Sequence, residues 1–247
     1  MPETQILMNG LAFPESPRWH DDRLWFSDWG AHEVIAVELD RRSEVIVRVQ
    51  SFPMCIDWLP DGRLLIVSAS EGLLLRRERD GSLVAHADLS SLADFKWNDI
   101  VVDGRGNSYV NNTGFDFPGG EFAPGILALV TPEGFARQVA DEVAFPNGMV
   151  VTPDNSTLIV AESYGNKLTA FDIAADGSLS NRRLWADLQA ASPTASASTL
   201  RTRSGTGTSP TSGACAFAKV ARCCRRSTLT AVASRAHSGA RTGERCS

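Results

Sequence analysis

A polar turn followed by a short β-rich run recurs four times in the first 188 residues, and nothing else in this 247-residue chain restricts its fold as strongly. The copies are Asp21-Asp22-Arg23-Leu24-Trp25-Phe26-Ser27, Asp61-Gly62-Arg63-Leu64-Leu65-Ile66-Val67, Gly106-Asn107-Ser108-Tyr109-Val110 and Asp154-Asn155-Ser156-Thr157-Leu158-Ile159-Val160. Aligned on Leu24, Leu64, Ser108 and Leu158, they stand 40, 44 and 50 residues apart. A second β-rich run follows each, at 33–40, 72–76, 125–130 and 167–173, and leads into a further turn such as Asp80-Gly81, Pro132-Glu133-Gly134 or Asp176-Gly177. About four short strands per repeat, with no helical period between them, predict an all-β chain built of β-propeller blades, whose radial arrangement hides most strand edges. A β-sandwich would show short strands without this recurrence. The expected blades run over about 5–52, 53–92, 93–144 and 145–188.

Charge divides the chain at the same point. Residues 1–188 hold 28 acidic and 15 basic residues, whereas residues 189–247 hold one acid, Glu244, and nine bases. All six Trp precede the division, and four of five Cys (Cys215, Cys223, Cys224, Cys246) follow it. The segment 189–247 is dominated by Ala, Ser, Thr, Arg and Gly, too poor in large apolar residues to offset chain entropy with a core, and it reads as a low-complexity tail, disordered or out of frame. Cys223-Cys224 lacks the spacer of zinc or redox pairs. The net charge of −5 argues against generic attraction to nucleic acid or anionic lipid. No apolar run approaches the roughly 20 residues that span a bilayer, and Met1-Pro2-Glu3-Thr4 opens no basic-then-apolar leader, so the expected compartment is the cytoplasm.

The first strands of propeller blades converge on one channel, so ligands remote in sequence can meet there. Hard oxygen donors recur at blade spacing: Glu15 in Phe13-Pro14-Glu15-Ser16-Pro17-Arg18-Trp19, Asn98 and Asp99 in Lys96-Trp97-Asn98-Asp99, and Asn147 in Phe145-Pro146-Asn147-Gly148-Met149. Such oxygens suit Ca²⁺, Mg²⁺ or Mn²⁺, and Zn²⁺ also accepts them. In isolation Glu15 reads equally as an exposed carboxylate before a turn, and Asn147-Gly148 as a turn signal. Asp61, Asp103 and Asp154 read as hairpin formers, His20, His32 and His86 as surface residues, and Trp19, Trp25, Trp29 and Trp58 as packing between blades.

With these motifs in order, residues of about 5–188 resemble the senescence-marker-protein/gluconolactonase/regucalcin family of six-bladed β-propellers. The likeness is carried by Glu15-Ser16-Pro17-Arg18-Trp19 with Leu24-Trp25-Phe26-Ser27-Asp28, by Asn98-Asp99 with Val102-Asp103-Gly104, and by Pro146-Asn147-Gly148 with Pro153-Asp154. The resemblance implies that Glu15 and Asn147 ligate a divalent cation, that Asn98 and Asp99 lie near metal and substrate, and that the substrate is a small-molecule lactone hydrolysed by a polarising cation and an activated water. The family's third ligand and general base comes from a Pro-Asp-Gly motif one blade later; here Ser192-Pro193-Thr194-Ala195 stands in its place, so one expectation is a product inactive as written. Lys96 and Asn111-Asn112-Thr113-Gly114 replace family residues on the substrate side, so sugar-lactone specificity does not carry over.

One cause would account for both the missing motif and the foreign composition. Back-translated with GC-rich codons and read one base earlier, Ser192–Leu200 yields Pro-Asp-Gly-Ile-Cys-Leu-Asp-Ala, as if the frame shifts near Leu188–Gln189. The expectations are thus a metal-dependent lactone hydrolase with no nucleic-acid or membrane partner, monomeric or a small homo-oligomer. The alternatives are a non-catalytic β-propeller that binds a ligand, or a non-functional frameshifted product.

Overall fold

The computed structural model describes residues 5–188 and 228–231, which form eighteen strands and, among the described residues, no helix. Four antiparallel sheets of four consecutive strands follow one another along the chain, as the propeller expectation requires. Blade 1 is β2 (Pro14–His20), β3 (Arg23–Asp28), β4 (Glu33–Val37) and β5 (Ser43–Arg48). Blade 2 is β6 (Pro53–Trp58), β7 (Leu64–Ser68), β8 (Leu73–Arg77) and β9 (Leu83–Asp88). Blade 3 is β10 (Trp97–Val102), β11 (Ser108–Asn112), β12 (Gly125–Val130) and β13 (Ala136–Val143), and blade 4 is β14 (Pro146–Val151), β15 (Thr157–Glu162), β16 (Lys167–Ile173) and β17 (Leu179–Asp187). The first strands line up, β2 beside β6, β6 beside β10, and β10 beside β14.

β1 (Gln5–Asn9) was expected inside the first blade. It instead pairs antiparallel with β18 (Thr228–Ala231), and blade 1 begins at Pro14. Gly10, at φ 81°, turns the chain out of β1. Leu7 and Leu11 then pack on Leu24, Phe26, Ile35 and Val37, covering one face of the blade 1 sheet. Apart from 228–231, the expected tail, including the position of the missing Pro-Asp-Gly motif, lies outside the described residues.

The turns explain the recurring Asp. Asp61 Oδ1 accepts the Arg63 N–H at 3.1 Å, Asp154 Oδ1 that of Ser156 at 3.1 Å, and Asp103 Oδ1 those of Arg105 at 2.8 Å and Asn107 at 2.9 Å. A carboxylate that takes up turn N–H groups competes with continued strand and so fixes where each hairpin reverses.

Why the second strands read as unbroken apolar runs is visible in what each side chain touches. Successive strand residues point to opposite faces of their sheet. Leu64 and Ile66 pack toward blade 1 against Trp25, Val34 and Ala36, while Leu65 and Val67 pack toward blade 3 against Trp97, Ile100 and Val110. Tyr109, Leu127 and Leu129 face blade 4, meeting Leu158, Val160 and Phe171, while Val110, Ala128 and Val130 face blade 2. With both faces covered, alternation disappears. The outermost strands lose it in the other direction, and β17 is largely exposed.

Two surface expectations are corrected. Trp19 is 51% exposed rather than packed between blades, because it stands opposite Leu24 on the face of blade 1 turned away from blade 2. His86 is buried, not superficial: its Nδ1 lies 3.0 Å from Arg76 Nη1 and, since arginine only donates, must accept, which requires the neutral imidazole. His20 stacks on Trp58 with ring centroids 4.0 Å apart.

Two outcomes follow for stability. Leu65→Ala, at a fully buried residue between blades 2 and 3, is expected to lower unfolding free energy in urea by about 2–5 kcal/mol, against about 0.5 or less for the half-exposed Leu39→Ala. Burial, then the charges of Arg76 and Arg63, push the His86 pKa down. A folded-state pKa below that of the unfolded chain means that unfolding takes up a proton in acid. The contribution is therefore complete above about pH 6.5 and fades as pH falls below it. His86→Gln, which keeps an acceptor for Arg76, should melt with a shallower decline between pH 6.5 and 5 than the parent; parallel curves would refute the buried neutral imidazole.

Candidate functional site

The first strand of every blade carries the same irregularity. Glu15 to Arg18 is set against Ser27 to Trp25, Pro53 to Ile56 against Ser68 to Ile66, Trp97 to Ile100 against Asn112 to Val110, and Pro146 to Met149 against Glu162 to Val160. Three steps thus oppose two, which is a β-bulge; it bends the strand and re-aims the side chains it contains. Pro14, Pro53, Trp97 and Pro146 are equivalent, opposite Asp28, Ser68, Asn112 and Glu162, and in blade 1 one more pair, Glu15 opposite Ser27, precedes the bulge. The next two residues are Glu15-Ser16, Met54-Cys55, Asn98-Asp99 and Asn147-Gly148. Glu15, Asn98 and Asn147 therefore occupy one structural position in three blades, with Met54 in the fourth.

The bulged segments meet. Asn98 Nδ2 donates to the Pro146 carbonyl at 3.3 Å, and the buried Asn111 joins blades 3 and 4 again: its Oδ1 accepts the Asp99 N–H at 3.0 Å and its Nδ2 donates to the Asn147 carbonyl at 2.8 Å. From blade 1, Arg18 reaches Asp99 Oδ1 at 3.2 Å and the Ile100 carbonyl at 3.3 Å. Asp99 Oδ1 also accepts the Ile100 N–H at 2.8 Å, and its Oδ2 is turned toward Gly148, where no side chain intervenes. Asn147 Nδ2 points to Ser163 Oγ at 3.4 Å, and the Ser16 hydroxyl accepts the Ile56 N–H at 3.0 Å.

The electrostatics confirm one shared environment. Burial raises the Glu15 pKa; the Ser16 N–H opposes this, and the charge of Asp99 adds to it. Burial works against the Arg18 cation, but Asp99 and Asp57 together outweigh it and hold the guanidinium charged. Burial pushes the Asp57 pKa up despite Arg18 and the N–H groups of Val102 and Trp58. The Cys55 thiol, buried within reach of Asp99, Arg18, Ser16 and Glu15, has its pKa pushed well up and so stays protonated.

Several contributors were not singled out from sequence. Arg18 was quoted only as part of a motif, because its partner Asp99 is 81 residues away. Asp28, buried at the end of β3, accepts the N–H groups of Ala12 and Phe13, both at 2.8 Å. At the matching end of β15 the buried Glu162 accepts the Ala144 N–H at 2.8 Å, and at the end of β11 Asn112 Nδ2 donates to the Phe95 carbonyl at 2.6 Å. Each of these side chains pins the segment that leads into a site residue. A polar residue closing an apolar run at blade spacing was the available signal.

Among the described residues no group of three or more His, Cys, Asp or Glu gathers as a metal cluster. The oxygen donors at the bulges are instead one carboxylate, Glu15, and the amides of Asn98 and Asn147. Since both amides spend their nitrogens as donors within the protein, the oxygens are the ends left for a ligand. That donor set fits a hard divalent cation.

Comparisons with known proteins agree with the propeller fold. Diisopropyl-fluorophosphatase from Loligo vulgaris is 29% identical over 142 residues, 51% of this chain and 44% of that protein. A gluconolactonase from Xanthomonas campestris superposes with a TM-score of 0.60 at 23% identity, covering 73% of this chain and 64% of the other. A calcium-binding regucalcin from Agrobacterium tumefaciens gives 0.63 at 20% identity, covering 76% and 64%. The chain thus spans less than two thirds of the length of these relatives. Residues 13–199 match the family described as SMP-30/Gluconolactonase/LRE-like region, and it is to this family of β-propellers that the chain belongs.

Proposed function

We propose that this protein hydrolyses lactones with the help of a divalent cation held by Glu15 and Asn147, with Asn98 beside them. The observation that carries the reading is the register equivalence of Glu15, Asn98 and Asn147, three hard donors at one position of the inner strands of blades 1, 3 and 4. The relatives named as a gluconolactonase, a diisopropyl-fluorophosphatase and a calcium-binding regucalcin support it. A bound cation would supply Lewis acidity, drawing charge from a carbonyl oxygen.

The chain's own residues supply the rest. Asp99 Oδ1 is occupied by Arg18 and the Ile100 N–H, which leaves Oδ2 to take a proton from water as the water oxygen bonds to the lactone carbonyl carbon. The ring C–O bond then breaks, the proton passes from Oδ2 to the departing alkoxide, and a hydroxy acid leaves. Arg18 stands beside Asp99 as its ion-pair partner at 3.2 Å, and Asn111 fixes the backbone of Asp99 against that of Asn147. Asn98, tied to Pro146, would bond a substrate oxygen. These assignments make a small-molecule lactone the partner; among the described residues no helix is long and apolar enough to cross a membrane.

In a pH-stat assay with Ca²⁺, Mg²⁺, Mn²⁺ or Zn²⁺, γ- and δ-lactones are expected to be opened, with activity lost on chelation and lowered about 100-fold by Glu15→Gln or Asn147→Ala. Turnover indifferent to chelator would contradict the metal role, and lactone binding without turnover would mark a binding protein instead. The cation should also raise the melting temperature, by the equivalent of about 2.7 kcal/mol at a hundredfold excess over Kd, in the parent and in Asp99→Asn but not in Glu15→Gln. Asp99→Asn should nonetheless lose about 10²–10⁴ in turnover. Retained turnover there would remove Asp99 from the proton path.

A further inference from the structure

We propose that the connection between β11 and β12, with Phe145 and Tyr164, forms an aromatic wall that selects lactones bearing an apolar, aromatic substituent over polyhydroxylated ones. This specificity rests on the lactone-hydrolase reading above. In three blades the link from second to third strand is four residues, 29–32, 69–72 and 163–166; in blade 3 it is twelve, 113–124. The added length delivers Phe115, Phe117 and Phe122 to the rings of Phe145 and Tyr164. Centroids lie 4.8 Å apart for Phe117 and Phe145, 5.4 Å for Phe122 and Tyr164, and 4.8 Å for the stacked Phe145 and Tyr164.

Phe115 is buried beneath this group, yet Phe117, Phe122 and Tyr164 remain 40%, 47% and 44% exposed. Loops that insert large rings and leave them open to water are unusual in connections that merely join strands, and long ordered loops on a rigid scaffold are where binding residues concentrate. The wall stands at the site. Phe145 is two residues before Asn147, Tyr164 follows the Ser163 that receives Asn147 Nδ2, and Lys96, two residues before Asn98, donates through Nζ to the Phe117 carbonyl at 3.1 Å. The opposite ends of the same blades carry polar turns at Asp103–Asn107 and Asp154–Ser156.

Phenyl faces offer no donor or acceptor to sugar hydroxyls, which would lose water without replacement. An aromatic substituent would stack there and hold the lactone carbonyl over the inner-strand donors.

The test compares γ-phenyl-γ-butyrolactone with glucono-1,5-lactone. The parent is expected to prefer the phenyl lactone in kcat/KM by about tenfold or more. The Phe117→Ser/Phe122→Ser pair, and separately Tyr164→Ser, should erase that preference while gluconolactone turnover stays within about twofold. Equal preference in the parent, or an equal loss on both substrates with an unchanged melt, would overturn the proposal. Calorimetry with Glu15→Gln, which keeps the wall, separates the two claims. Binding of the phenyl lactone that the added serines abolish upholds the wall even if no lactone is turned over, and absence of binding there removes the wall even if gluconolactone is hydrolysed.

Discussion

A strand that pairs evenly with its neighbour sends its side chains alternately to the two faces of the sheet, and in a propeller both faces belong to the packing between blades. A polar donor on such a strand would be aimed into apolar neighbours. The extra residue set into the first strand of all four blades changes this, because a bulge bends the strand and turns the residues within it. Glu15, Asn98 and Asn147, the donors proposed for the cation, each stand at or beside that irregularity. Arg18, Asp99, Asn111 and Asn147 form one network there.

The bulges need a rigid frame, and the second and third strands provide it. Leu64 to Val67 and Leu127 to Val130 alternate between neighbouring blades, so each blade is registered against the next by interdigitated side chains with essentially no exposure. Asp28, Asn112 and Glu162 then tie down the segments entering β2, β10 and β14. The cost of burying those polar groups is met by specific backbone partners, and the gain is that the donors have little freedom to wander.

The sequence was most legible where chemistry and period coincide. Glu15, Asn98 and Asn147 stood out because oxygen donors recurred at the spacing of the Leu24, Ser108 and Leu158 turns, and Asp61, Asp103 and Asp154 because their turns are local. What could not be read depends on contacts between distant segments. The Arg18 to Asp99 pair bridges 81 residues, and His86 is buried by packing and by Arg76 on the adjoining strand, although nothing near it in sequence marks it as interior. Trp19 shows the converse, since a large aromatic in a packing motif stands half exposed. Gln5–Asn9 has the composition of a blade strand, but the positive φ of Gly10 lets it leave the blade and pair elsewhere. The twelve-residue link of blade 3 was visible as an irregular spacing, though not as a cluster of rings.

Crystals grown with Mn²⁺ and measured for its anomalous scattering would test most directly whether the bulged strands of separate blades share one cation. The account predicts a single strong peak between blades 1 and 4, within about 2.0–2.6 Å of a Glu15 carboxylate oxygen and the Asn147 amide oxygen. A well-ordered site without a peak there, or Mn²⁺ bound only at exposed carboxylates, would contradict it.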